Sequence, residues 1–159
     1  MEQKENPIFR SPLPWTHHGT ETLVISCSDH RFQDHFDHFL KEGIKVDSFA
    51  RFVLPGGPQF LLAADVPMFE KAGRRWVKFM IRHAGFQQII CLAHEDCLWY
   101  RDISIGSLTI PLLKERQIGD LRKAKLVLQE MFPKVAVRMF YAHIKEEDKK
   151  AFVEFTEVF

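Results

Sequence analysis

Two short stretches carry residue types that can hold a metal ion: Cys27-Ser-Asp-His-Arg31 and, well downstream, His94-Glu-Asp-Cys97. Zinc prefers thiolate sulfur and imidazole nitrogen. Structural sites fill all four positions with protein, whereas catalytic sites keep one for water. The convincing ligands here are Cys27, His94 and Cys97, the donor set of a catalytic zinc centre with one position open. Two thiolates and a neutral imidazole balance the charge of Zn2+, and the ion can still bring the pKa of its water towards ~7. Ligand softness is the basis for choosing zinc, and iron or cobalt is compatible with the same donors.

Asp29 and Arg31 follow Cys27 at alternate positions. In an extended turn alternate side chains face the same way, so the three share one side. An Arg fork then holds the carboxylate in a bidentate pair and keeps it ionised. That carboxylate accepts the proton of a zinc-bound hydroxide and aims its lone pair. The competing reading is a surface ion pair worth ~0–1 kcal/mol.

Each motif follows an apolar, β-branched run, Leu23-Val-Ile and Gln88-Ile-Ile-Cys-Leu, that reads as a buried strand. Side by side in a parallel sheet, the two strands open onto one edge, where α/β folds place their sites. Phe32, Phe36, Phe39 and Leu40 form one helical stripe after the first motif, with Gly43 expected as the C′ stop. Residues 46–53 read as a second strand, closed by Leu54-Pro-Gly-Gly-Pro58, a rigid turn that can wall the pocket. Phe69, Ala72, Trp76, Val77, Met80, Ile81 and Ala84 repeat at helical spacing before Gly85, with Trp76 and Met80 assigned to the core.

Cys91 inside the third strand reads as a small buried hydrophobe. Residues 98–118 show no clear pattern. Asp120 is expected to cap a helix bearing Leu121, Ala124, Val127, Leu128, Met131 and Phe132, halted by Pro133. Residues 135–142 read as a fourth strand, 145–150 as a polar connection, and 152–158 as a fifth, antiparallel edge strand. The sum is an α/β fold: a mostly parallel sheet of about four to five strands flanked by helices on both faces.

The 159 residues suit a single domain, 1–159, in which residues 1–20 form an irregular arm rich in Pro and 21–159 the α/β body. His17-His18 in the arm reads as an exposed pair, and His35 and His38 as a solvated helix face. A net charge of +1 gives no general case for nucleic acid or an acidic membrane. The charged N-terminus carries no apolar leader, and no apolar run approaches the ~20 residues that span a bilayer. Three Cys, an odd count, point to a reduced compartment and metal or catalytic use, hence a cytoplasmic setting. The 15 Phe suggest a core of large flat groups and an apolar face that meets a second subunit.

Taken together, Cys27-x-Asp29-x-Arg31 after one apolar strand and His94-x-x-Cys97 after another resemble the β-class carbonic anhydrases. The opening Ile25-Ser-Cys-Ser-Asp, the unit running from Met80 through Gly85 to His94, and Val137-Arg-Met-Phe-Tyr-Ala-His-Ile are similar to that family as well. The resemblance spans about residues 22–158. It implies that Cys27, His94 and Cys97 hold zinc, that Asp29 and Arg31 form an orienting dyad, and that the protein is a zinc lyase hydrating CO2 reversibly to bicarbonate. It also implies a homodimer or higher homo-oligomer, and in some members the Asp becomes a fourth ligand that closes the site. Leu98 stands where the family usually carries Gly, and the turn at residues 54–58 differs. Two alternatives therefore stay open: a zinc hydrolase of another small heterocumulene (COS or CS2), or a non-catalytic zinc protein with a closed site. His30, His35, His83 and Tyr100 are candidate proton shuttles, with none preferred.

Overall fold

The computed structural model describes residues 7–15, 19–62, 67–104 and 109–159, so His17-His18 and part of the arm lie outside the described residues. Five strands form one sheet in the order β2-β1-β3-β4-β5: β1 (Thr22–Cys27), β2 (Ala50–Leu54), β3 (Gln88–His94), β4 (Ala136–Glu147) and β5 (Lys150–Val158). The first four run parallel and β5 returns antiparallel at the edge. All six residues of β1 are buried, as expected of a parallel strand covered on both faces.

The helices are α1 (His30–His38), α2 (Pro67–Ala84), α3 (Leu98–Ile103) and α4 (Ile110–Met131). One sheet face packs Leu23, Ile25, Ile89, Cys91 and Met139 against Val77 of α2 and Leu121, Ala124 and Leu128 of α4. The other packs Val24, Ile90, Leu92 and Phe140 against Phe32 and Phe36 of α1 and Leu40 after it. Helices thus cover both faces, and Cys91 is a fully buried member of the core.

Several local expectations are corrected. The helical run does end at Gly43, but as the last residue of a π-helical turn over Phe39–Gly43 that continues α1 rather than as a C′ residue, and the chain leaves it through Ile44 and Lys45, whose φ is 57°. The second strand begins at Ala50 rather than at residue 46. Residues 98–118 contain all of α3 and the start of α4, with Pro111 in the first turn where its missing N–H costs nothing. Asp120 therefore sits inside α4 and caps nothing; it accepts from Tyr100 Oη at 3.1 Å. The polar stretch 145–150 is strand, and only Asp148 and Lys149, both at positive φ, make the hairpin turn. Trp76 is not a core residue: it is 51% exposed on α2, edge-on to Phe52 at 6.0 Å. Among the described residues no helix is long and apolar enough to cross a membrane.

Candidate metal centre

β1 and β3 are neighbours, and Cys27 and His94 are their last residues. Cys97 stands at the N-cap of α3 after a two-residue turn in which Asp96 takes φ 58°. Asp tolerates this left-handed conformation better than most side chains. Arg31 steadies the turn by donating through Nη1 to Asp96 Oδ2 at 3.0 Å and through Nη2 to the Asp96 carbonyl at 3.0 Å, while Arg101 pairs with Asp96 from the other side. The structure thereby brings Cys27, His94 and Cys97 together. Their donor atoms all lie within 4.8 Å of one another, and the two Sγ atoms are 3.7 Å apart.

His94 is fully buried, and its ring is held at Nδ1 and on one face. Nδ1 lies 2.8 Å from the Glu95 carbonyl. A carbonyl only accepts, so Nδ1 carries the proton and Nε2 presents its lone pair. Phe32 lies against the imidazole with ring centroids 4.1 Å apart. The His94 carbonyl accepts from Gln117 Nε2 at 2.8 Å, and Gln117 Oε1 accepts from Tyr141 Oη at 2.9 Å. His94 Nε2 itself is buried without a hydrogen-bond partner. Such an orphan is costly unless something electron-poor fills the space beside it. Two soft sulfurs supply the remaining donors, so the residues present fit a thiophilic cation such as zinc.

The hydrogen bond donated by Cys97 holds the Cys27 thiol well below its ordinary range, against the cost of burial. Cys97, facing that thiolate in a buried position, is pushed up instead.

Asp29 and Arg31 do meet, although not in an extended turn. Asp29 is the N-cap of α1, and its Oδ1 accepts from the Arg31 backbone N–H at 3.0 Å. The guanidinium holds both carboxylate oxygens, with Nε at 3.0 Å from Oδ1 and Nη2 at 2.6 Å from Oδ2. These bonds, above all other influences, lower the Asp29 carboxyl to about 2. Asp29 Oδ2 comes within 4.0 Å of His94 Nε2.

A cavity of about 370 Å3 opens over the centre, lined by Cys27, Asp29, His30, Pro55, Leu98 and Trp99, among others. Of the turn expected to wall the pocket, Pro55 reaches the cavity. Gly57 does a different job: at φ 57° it brings its backbone so near that a Cβ would lie 2.9 Å from Cys27 N and 3.0 Å from Leu92 O. Among the four shuttle candidates, His30 lines the cavity, whereas Tyr100 is buried with its hydroxyl on Asp120.

Gln117 and Tyr141 escaped the sequence reading. One signal existed: Gln117 interrupts the buried stripe Leu113, Leu121, Ala124, Leu128 of α4 at helical spacing. A polar side chain inside an apolar stripe has to find a buried partner.

A family model described as "Putative carbonic anhydrase" matches residues 17–152. The chain is 29% identical over 123 residues to a protein of Rickettsia conorii described as uncharacterized, covering 75% of this chain and 65% of that one. It thus spans just under two thirds of that relative's length. A second such protein, from Rickettsia bellii, is 28% identical over 121 residues, covering 75% of this chain and 74% of that one. Among solved structures, the β-carbonic anhydrase CafA of Aspergillus fumigatus aligns with TM-score 0.51 and 14% identity over 87% of this chain and 76% of its own. A β-carbonic anhydrase, isoform I of Trichomonas vaginalis, aligns with TM-score 0.51 and 12% identity over 89% of this chain and 86% of its own. At these identities the likeness to the solved structures is one of fold.

Proposed function

The chain belongs to the carbonic anhydrase family whose model it matches, and from that premise we propose that it is a zinc-dependent lyase interconverting CO2 and bicarbonate. The observation that carries the reading is the unpartnered His94 Nε2 facing two thiols at the end of the parallel strands. Cys27, His94 and Cys97 would hold the ion, which when bound supplies Lewis acidity and brings water towards ionisation near neutral pH.

The chain's own groups do the rest. Arg31 fixes Asp29 and keeps it charged, so Asp29 can only accept hydrogen bonds. Arg31 gives Oδ1 two hydrogen bonds, from its N–H and Nε, whereas Oδ2 takes Nη2 and only a longer Nε contact at 3.2 Å, which makes Oδ2 the oxygen that can accept a hydrogen bond from a hydroxyl in the cavity and so orient it. Commitment of both carboxylate oxygens to Arg31 favours this orienting role over permanent ligation and a closed site. Pro55, Leu98 and Trp99 give CO2, a small apolar molecule, a wall it can lie against. The same wall also suits COS or CS2, which makes a heterocumulene hydrolase the second reading. Self-association and a reducing, cytoplasmic setting belong to the same proposal.

Stopped-flow CO2 hydration on zinc-loaded protein is the test. Activity should rise with pH, and Cys97→Ser should lose both zinc and activity. Hydration no faster than in buffer, in a sample carrying one zinc per chain, would exclude the lyase. Turnover of CS2 without turnover of CO2 would select the second reading.

A further inference from the structure

Glu95 lies between two ligand candidates and has no part in the chemistry above, yet its hydrogen bonds are unusual. β3 and β4 pair in parallel with His94 opposite Ala142, and the Glu95 N–H donates to the Ala142 carbonyl at 2.8 Å. In a parallel ladder, a residue that donates to one partner carbonyl receives on its own carbonyl the N–H two residues further along the partner strand. The next rung would therefore run from Ile144 N–H to the Glu95 carbonyl. Instead, Ile144 N–H donates to Glu95 Oε2 at 3.1 Å, and the Glu95 carbonyl takes His94 Nδ1 at 2.8 Å. The side chain has replaced the main chain as ladder acceptor, and the main chain is turned to the imidazole.

We infer that Glu95 is a positioning residue of the metal centre: its carboxylate occupies the Ile144 amide, which leaves its carbonyl to hold His94 as the Nδ1–H tautomer with Nε2 facing the thiols. Without that side-chain acceptor, the Ile144 N–H draws the Glu95 carbonyl back into the ladder and away from the ring. Hydrogen bonds to a ligating imidazole fix its tautomer and orientation, and their loss typically lowers metal affinity 10–100-fold. The role needs an acceptor oxygen and no charge, so Gln should replace Glu where Leu cannot. The inference rests on the reading of Cys27, His94 and Cys97 as ligands, but its central claim concerns a proton that is measurable without any metal.

The experiment uses the full chain as wild type, Glu95→Gln and Glu95→Leu, with folding checked by circular dichroism. Long-range 1H–15N spectra of the metal-free proteins report the His94 tautomer, and competition against a chromogenic chelator reports zinc affinity. Wild type and Glu95→Gln should show Nδ1–H and bind zinc within about threefold of each other. Glu95→Leu should lose the single tautomer and bind about 10–100-fold more weakly. The proposal is overturned by an Nε2–H tautomer in the wild type, by wild-type behaviour of Glu95→Leu, or by equal losses in Glu95→Gln and Glu95→Leu. Should Glu95→Leu not fold, the tautomers of wild type and Glu95→Gln still decide. A wild type that takes up no zinc but keeps the Nδ1–H tautomer would sink the metal reading and leave the rearranged rung standing.

Discussion

Asp29 does two things, and one substitution separates them. It caps α1 through the Arg31 backbone N–H, and it meets the Arg31 guanidinium as a charged partner. Asn caps a helix about as well as Asp, whereas Ala loses ~1 kcal/mol at such a position. On the proposed lyase reading, Asp29→Asn is therefore expected to melt within a few degrees of wild type and bind zinc as the wild type does, while CO2 hydration falls about 10²-fold. An unchanged hydration rate would remove Asp29 from the mechanism. The residues of this centre differ in how readily sequence discloses them. Cys27, Asp29, Arg31, His94 and Cys97 each follow closely on a run of β-branched residues, so local pattern places them at strand ends. Gln117 shows as a polar break in the apolar stripe of α4, but its bonds to the His94 carbonyl and to Tyr141 arise because α4 packs across the sheet face, a long-range event that local pattern does not encode.

At the scale of elements, the turn after β2 matters for its closeness to β1. A side chain at Gly57 would need a left-handed backbone and would strike main-chain atoms of Cys27 and Leu92, which cannot move aside as side chains do. Gly57→Ala should destabilise the fold by about 1–3 kcal/mol and lower the melting temperature by several degrees; an unchanged melt would contradict the contact. At the opposite edge, Arg138 holds Glu157 of β5 through two bonds of 2.9 Å and depresses its carboxyl below the ordinary 4.5. A depressed carboxyl stabilises the fold above its unfolded pKa, and that contribution drains away as pH falls below about 4.5. Both partners are partly exposed, so the effect is at most ~1 kcal/mol. The melting-temperature gap between wild type and Glu157→Gln should accordingly close on acidification, and a constant gap would refute the pairing. The element that patterning missed, the outer half of β4, has exposed residues on both faces, and alternation shows only where one face is buried. Trp76 misled for a related reason: the apolar residues of α2 encircle more than one face, and Gly73 and Val77 mark the side that packs.

For the whole molecule, the outward side of α2 carries Phe69, Trp76 and Phe79, each more than half exposed, beside Phe52 of the edge strand β2. A second copy is the occupant expected from the abundance of Phe, and sedimentation should show a dimer or larger that Trp76→Glu weakens. A wild type sedimenting as a monomer at ~100 μM, well above the Kd of stable homo-oligomers, would rule that out. Another consequence lies in how far apart the paired thiols enter the chain. Cys27 and Cys97, 3.7 Å from each other, are separated by 70 positions. They meet only after β3 has zipped onto β1 with β2 and two helices looped out between, a closure of the kind that slows folding. An ion held by that pair in the way proposed would bind after this closure, so chelation should hasten the molecule's coming apart while the speed of its assembly stays the same, and slower assembly on chelation would refute that order.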